Sequence, residues 1–306
     1  MDSLIYSLNA TIPVFLVIVL GYFLRYIGML DVPFIRVANK FNFRVTLPVM
    51  LFTDLVSTDF VEVFDLKYVA YCFFVTLLCV LAVWMFARIF MKDKSLTGEF
   101  VQASYRSSAA VLGIAFIVNI CGTSGIAPLM ILGAVPLYNI FAVIILTFEG
   151  NQEGRGRIKK ALLDILENPI IIGIFLGFLY SVLKLPMPEV LGDTLENIAK
   201  MATPLALICI GAGFEGKKAI QMIKPTVLAA MIKLVIQPAI FLPLAVGMGF
   251  TGDKLIACII MLGSPTTPSS YIMARNMGHE GVLTSSVIVM TTILSSFTTG
   301  SALNEP

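Results

Sequence analysis

Charge is scarce in this chain. Lysine, arginine, aspartate and glutamate make up 13% of its 306 residues, about half of the ~25% carried by an ordinary soluble domain. Histidine and tryptophan each occur once. No HExxH, GxSxG or cysteine–histidine cluster is present, so enzyme chemistry has no candidate groups, and neither a metal nor a cofactor is expected. Cys72, Cys79, Cys121, Cys209 and Cys258 lie singly in apolar surroundings, without metal or redox spacing. They read as small buried hydrophobes. His279 stands beside Glu280 and reads as a surface residue. Residues 211–218 approach a phosphate-binding loop, but end on Lys218 rather than serine or threonine. The net charge of +2 comes from basic residues spread over short segments, which excludes a nucleic-acid surface.

What the chain has is apolar sequence, 58% of it, with a mean hydropathy of +0.93. A membrane span needs about 20 such residues. The pattern predicts an all-α integral membrane protein with the lipid bilayer as its surroundings. Ten spans are expected: 7–24, 43–56, 68–90, 100–120, 126–148, 169–185, 195–214, 225–250, 254–275 and 282–303. No cleaved signal peptide is expected, because no basic residue precedes the first apolar run. The polar stretch 149–167 divides residues 1–148 from 168–306, five spans on each side.

The two halves resemble each other. Leu20-Gly21-Tyr22-Phe23 matches Leu176-Gly177-Phe178-Leu179, and Thr46-Leu47-Pro48 matches Ala202-Thr203-Pro204. Gly177 follows Gly21 by 156 residues, and Pro204 follows Pro48 by the same 156. An odd number of spans per half makes the second copy enter the membrane from the opposite side. That is the five-plus-five inverted repeat common among transporters. Of the 21 lysines and arginines, all but Lys67, Lys184, Lys200, Lys254 and two within spans fall on one face. The positive-inside rule makes that face cytoplasmic and places both termini outside a cell membrane crossed many times.

One span is chemically unusual. Residues 263–270 read Gly263-Ser264-Pro265-Thr266-Thr267-Pro268-Ser269-Ser270 between apolar flanks. Each proline removes a backbone donor and clashes with the preceding turn. Broken backbone at membrane depth survives only against protein or water, and such breaks mark transporter binding sites. The equivalent segment of the fourth span, residues 105–116, is a run of small residues containing Ser108 and Gly113. Helix ends meeting at the midplane would offer an anion free N–H groups; close helix packing would equally use small residues. Arg106 and Lys233 lie about 10 and 12 Å inside their spans at 1.5 Å per residue, placed either for a substrate or to snorkel to the surface. Gln237 is one turn beyond Lys233. Asn119 and Asn139 are further polar residues within spans, suited to substrate contact or interhelical bonding. No carboxylate falls in the middle of a drawn span, and Asp54 joins Asp59, Glu62 and Asp65 in an outside loop. The excess of buried cations points to an anionic substrate.

Leu47-Pro48, residues 105–116, Pro136-Leu137-Tyr138-Asn139, and residues 263–274 followed by Gly278 and Gly281 together resemble the auxin efflux carrier family in its bacterial form. The resemblance covers nearly the whole chain. The family pattern at the fourth span is phenylalanine-arginine-glycine-asparagine, then glycine, an aliphatic residue and proline. Here Tyr105, Arg106, Ser107, Ser108, Gly113, Ile114 and Ala115 stand in those places. The ninth span keeps Pro265-Thr266, has Ser269 for an asparagine, and adds Pro268. The resemblance implies broken crossover helices four and nine that carry the substrate. It also implies a moving part of spans three to five and eight to ten, and a scaffold of the remainder that forms the contact of a homodimer. The implied activity is export of small organic anions by an elevator-type secondary carrier or uniporter, with or without a coupling ion. Substrate contacts are expected from Ser108, Gly113, Asn119, Asn139, Pro265, Thr266, Thr267, Pro268 and Ser269, with Arg106, Lys233 and Gln237 as charge partners. A membrane-embedded sensor for a small organic acid on the same fold is the alternative.

Overall fold

In the computed structural model, residues 2–56, 65–109, 126–150 and 157–302 are described. They form helices and no strand. Helix α1 is Asp2–Tyr26, α2 Val32–Phe41, α3 Leu47–Val56, α4 Leu66–Phe90, α5 Thr97–Tyr105 and α6 Ala127–Phe148. There follow α7 Arg157–Leu166, α8 Pro169–Val182, α9 Glu189–Lys200, α10 Ala202–Ala212, α11 Gly216–Gln221 and α12 Ile223–Met231. The last four are α13 Gln237–Gly247, α14 Asp253–Gly263, α15 Ser269–Asn276 and α16 Val282–Ala302.

Helix α4 shows why the fold belongs in lipid. Tyr68, Cys72, Val75, Cys79 and Val83 are buried on its inner stripe. The other face is no more polar: Phe73, Phe74, Leu78, Leu81, Met85 and Ile89 are exposed. A helix apolar all round is stable only in a core or a membrane. Four helical stretches among the described residues are long and apolar enough to cross one: Leu66–Phe90, Pro128–Phe148, Glu189–Ala212 and Ile223–Gly247.

Two of the spans contain a π-helical turn placed for the same reason. Asn42–Thr46 joins α2 to α3 just before Pro48, and Ile232–Ile236 joins α12 to α13 just before Pro238. Proline would clash with the carbonyl four residues earlier. The widened turn moves that carbonyl aside: Leu47 N–H donates to Asn42 O, and Gln237 N–H to Ile232 O. The second span is accordingly one helix from Val32 to Val56, much longer than the expected 43–56. Arg36, Lys40 and Arg44 lower the hydropathy of its first half without ending the helix. The seventh span begins earlier than expected, at Glu189, and is interrupted at Met201. The connecting stretch 149–167 contains the helix α7.

Glycines set two close crossings. Helix α1 packs on α10, where a Cβ at Gly21 would lie 2.4 Å from the Ile208 carbonyl oxygen. Helix α3 packs on α8, where a Cβ at Gly177 would lie 3.0 Å from Phe52 Cα. Ile208 follows Phe52 by 156 residues, the same interval that separates Gly177 from Gly21. The two crossings therefore use corresponding residues with the partners exchanged.

Candidate functional site at the crossing of two broken helices

Helix α14 ends at Gly263, and α15 starts at Ser269. Between them Ser264 is extended (φ −70°, ψ 157°). The break expected from Pro265 and Pro268 is present. Helix α5 ends at Tyr105, and Arg106 is extended in the same manner (φ −70°, ψ 141°). The continuation of that span, with Gly113, Ala115 and Asn119, lies outside the described residues.

A helix end leaves carbonyls without intrahelical donors, and burial makes each a cost of about 1–3 kcal/mol if unmet. At α5, Thr266 Oγ1 donates to Ala103 O at 2.7 Å, and Gln237 Nε2 donates to Ser104 O at 3.0 Å. At α14, Ser264 N–H donates to Ile260 O at 3.0 Å, Tyr138 Oη to Met261 O at 3.4 Å, and Lys233 Nζ to Leu262 O. The two broken chains are also joined directly. Ser108 N–H donates to Pro265 O at 2.9 Å, Gln102 Nε2 to Ser270 O at 3.0 Å, and the Ser107 and Ser264 hydroxyls share a hydrogen bond. Thr266 N–H reaches Thr291 Oγ1 of α16 at 3.1 Å.

Arg106 lies at the centre, 1% exposed. Its Nη2 donates to Asn139 Oδ1 at 2.7 Å and to Ser269 Oγ at 2.9 Å. Its Nη1 meets the Met273 sulfur at 2.9 Å, and its Nε has no hydrogen-bond partner. Asn139 is in turn held by its Nδ2 donating to Val135 O at 3.0 Å. The side chain does not snorkel; it is folded into the crossing. A guanidinium whose bonds go to neutral acceptors keeps its charge available, and a planar fork suits a carboxylate.

Arg106, Ser107, Ser108, Tyr138, Asn139, Thr267 and Ser269 line one cavity of about 30 Å³. The described conformation leaves little free volume beside the guanidinium. Helix α15 starts beside this cavity at Ser269 and has no side-chain cap, so the partial positive charge common to helix starts lies next to it.

Of the expected contacts, Ser108, Asn139, Thr267 and Ser269 do gather with Arg106 around this cavity. Pro265 and Thr266 form the break and its bonding. Lys233 and Gln237 are placed differently from the expectation. Both come from the π turn and the first residue of α13, and both are spent on carbonyl ends, one on each broken helix. Lys233 is 0% exposed and does not snorkel either.

Two carboxylates, Asp54, which was expected in an outside loop, and Glu99, are part of the interior. Asp54, on the last turn of α3, lines the Arg106 cavity. It also lines a cleft of about 750 Å³ between α3, α9 and the start of α10. Glu99, 1% exposed, accepts from Gly281 N–H at 2.7 Å, Thr284 N–H at 3.0 Å and Thr284 Oγ1 at 3.0 Å. It thereby holds the N-terminus of α16 against α5. His279 is half-buried rather than a surface residue, with Nε2 3.0 Å from Leu146 O at the end of α6. Nothing local in the sequence marked Glu99, whose partners Gly281 and Thr284 are remote in the chain. The same holds for Asp54, since its partners are remote in the chain.

An apolar helical protein with a small, cationic cavity at interrupted helices has the form of a membrane transport protein. Residues 6–301 match the family model described as membrane transport protein. The chain belongs to that family, the auxin efflux carrier family recognised from the crossover motifs. It is also similar to an uncharacterized transporter of Methanothermobacter thermautotrophicus (strain ATCC 29096 / DSM 1053 / JCM 10044 / NBRC 100330 / Delta H). The two are 22% identical over 292 residues, 94% of this chain and 95% of that protein. These findings point to a transporter rather than an enzyme.

Proposed function

We propose that this protein is a secondary transporter or uniporter exporting small organic anions, carboxylates above all. The observation that carries the reading is Arg106: a fully buried guanidinium, bonded to neutral oxygens, facing a cavity where two helices break. A permanent charge held there without function would cost several kcal/mol. A carboxylate seated on Arg106 would replace water and take further hydrogen bonds from Ser108, Asn139, Thr267 and Ser269.

The chain works as an elevator in this reading. The ten spans form two oppositely inserted repeats, 1–148 and 168–306, joined by 149–167. The paired crossings Gly21–Ile208 and Gly177–Phe52, related by one interval of 156 residues, support that symmetry. Helices α4, α5, α6 and α12 to α16 would move as a body carrying the crossing. The others would form a scaffold and a homodimer contact, with both termini outside the cell membrane. Lys233 bonds the Leu262 carbonyl at the end of α14 and so ties α12–α13 to the crossing.

Counterflow of radiolabelled malonate or indole-3-acetate in proteoliposomes tests the proposal. Exchange that disappears in Arg106→Gln is expected. Binding without exchange across a wide carboxylate panel would replace the transporter with the sensor reading.

A further inference from the structure

A second cavity, of about 480 Å³, opens where the ends of α1 and α10 meet α2 and α15. Arg25, Arg36 and Arg275 all line it, with Tyr271 and a single carboxylate, Glu215. Glu215 is already paired with Lys218 at 3.2 Å. Among the described residues none of the three arginines is in an ion pair. Arg25 Nη1 donates to Leu30 O at 3.1 Å, and Arg275 Nη1 to Glu280 O at 2.7 Å. A guanidinium has five N–H groups, so each backbone bond orients the side chain and leaves donors for a ligand. The volume is in the range of small-molecule sites.

Position gives the cavity its meaning. Helix α15 runs from Ser269, beside Arg106, to its last turn at Arg275, so one short helix links the two cationic sites. The opposite cleft has the opposite sign. It is lined by Asp54, Glu189, Asp193 and Glu196, with Lys200, and Lys200 is paired with Glu196 at 2.7 Å. Arg36 and Asp54 stand on one continuous helix 18 residues apart, about 27 Å at 1.5 Å per residue. The molecule is therefore basic at one mouth and acidic at the other.

We infer that the Arg25–Arg36–Arg275 cavity is a loading site for carboxylate anions, occupied before they reach Arg106. This rests on the transporter reading above and adds the route of entry and a sidedness. Focused positive potential raises local anion concentration and encounter rates by ~10 to 10³-fold and is lost as salt screens it. The acidic mouth lowers recapture. Apparent affinity is then higher from the arginine side than from the Asp54 side, while the equilibrium across the membrane is unchanged.

The test uses the full chain with arginines 25, 36 and 275 replaced by glutamine, singly and together, and a triple lysine variant that keeps the charge. Malonate flux is measured in inside-out and right-side-out vesicles at several ionic strengths, and malonate binding in nanodiscs. In the triple glutamine variant KM from the arginine side rises about 10-fold and loses its salt dependence, with maximal flux from that side and the KM from the other side unchanged; maximal flux in the opposite direction falls by the same factor, as the unchanged equilibrium across the membrane requires. The lysine variant keeps the salt dependence. A KM unchanged on both sides, or raised equally on both, overturns the inference and leaves the transporter reading intact. Arginine-dependent, salt-sensitive malonate binding with no flux in the unmodified protein would uphold the site and defeat the transporter reading. Malonate binding equal in nanodiscs of neutral phosphatidylcholine and of added phosphatidylglycerol is expected; its loss in the latter would give the site to a lipid headgroup phosphate and overturn the loading role.

Discussion

Arg106 is held by groups that set its geometry without neutralising it. The amide oxygen of Asn139 and the hydroxyl of Ser269 fix the fork from two helices, α6 and α15. Arg106→Lys keeps the charge but cannot bridge both acceptors and a carboxylate. Flux at subsaturating substrate is expected to fall at least 10-fold in Arg106→Lys and by more than 100-fold in Arg106→Gln, measured in proteoliposomes with equal protein incorporation. Asp54 enters the same cavity from α3. A carboxylate there repels an incoming one. Asp54→Asn is expected to tighten malonate binding several-fold by equilibrium dialysis; weaker binding would show that Asp54 instead organises the site.

At the scale of elements, the broken helices are stable because other spans supply the donors that the breaks remove. Gln237 serves α5, Lys233 and Tyr138 serve α14, and Thr266 ties one break to the other helix. Gln237→Leu leaves the Ser104 carbonyl without its donor, an expected loss of about 1–3 kcal/mol, visible as a lower melting temperature in detergent. Replacing Pro265 and Pro268 together with alanine allows α14 and α15 to fuse, and is expected to abolish flux while membrane insertion persists. Outside the membrane core, Asp65 caps α4 by accepting from Tyr68 N–H at 3.0 Å. Its bond from Lys254 Nζ, followed by that from Tyr68, holds its carboxyl below the ordinary carboxylate value. Because the folded value is depressed, the stabilisation is complete above the unfolded value of about 3.9 and is lost as pH falls through the lower folded value. Melting curves should lose the difference between the parent and Asp65→Asn in that acid window.

At the scale of the molecule, two close crossings, α1 on α10 and α3 on α8, fix helices distant in the chain against one another. A Cβ at Gly211 would lie 1.9 Å from Ile18 O, so Gly211→Ala must push α10 away from α1. Overpacking of this kind costs about 1–3 kcal/mol, and a lower melting temperature is expected. The surface between α1 and α16 is different in kind. Thr11 Oγ1 and Ser296 Oγ meet across it at 2.6 Å, while elsewhere on α16 Ser286 and Thr292 turn their hydroxyls back to that helix's own carbonyls at 2.8 and 2.7 Å.

How much of this was legible depends on the range of the interaction. Membrane character follows from summed composition. The interruption after Gly263 follows from Pro265 and Pro268, because a missing donor and a ring clash are local properties of the residue. The interval of 156 residues was visible because Gly21 and Gly177 answer the same packing need twice. The true start of the second span was hidden because Arg36, Lys40 and Arg44 dilute the hydropathy of a helix that continues through them. Lys233 could be recognised as buried and costly, but not as the partner of a carbonyl 29 residues away.

The sequence by itself determined the apolar surroundings and the place where a helix must break, since each depends on side-chain polarity or on proline's own backbone. Tertiary structure alone decided which donors meet the broken ends, which carboxylate looks at Arg106, and that three arginines from α1, α2 and α15 share one cavity. Those outcomes depend on helices distant in the chain being packed side by side, and hydrogen bonds reach only about 3 Å.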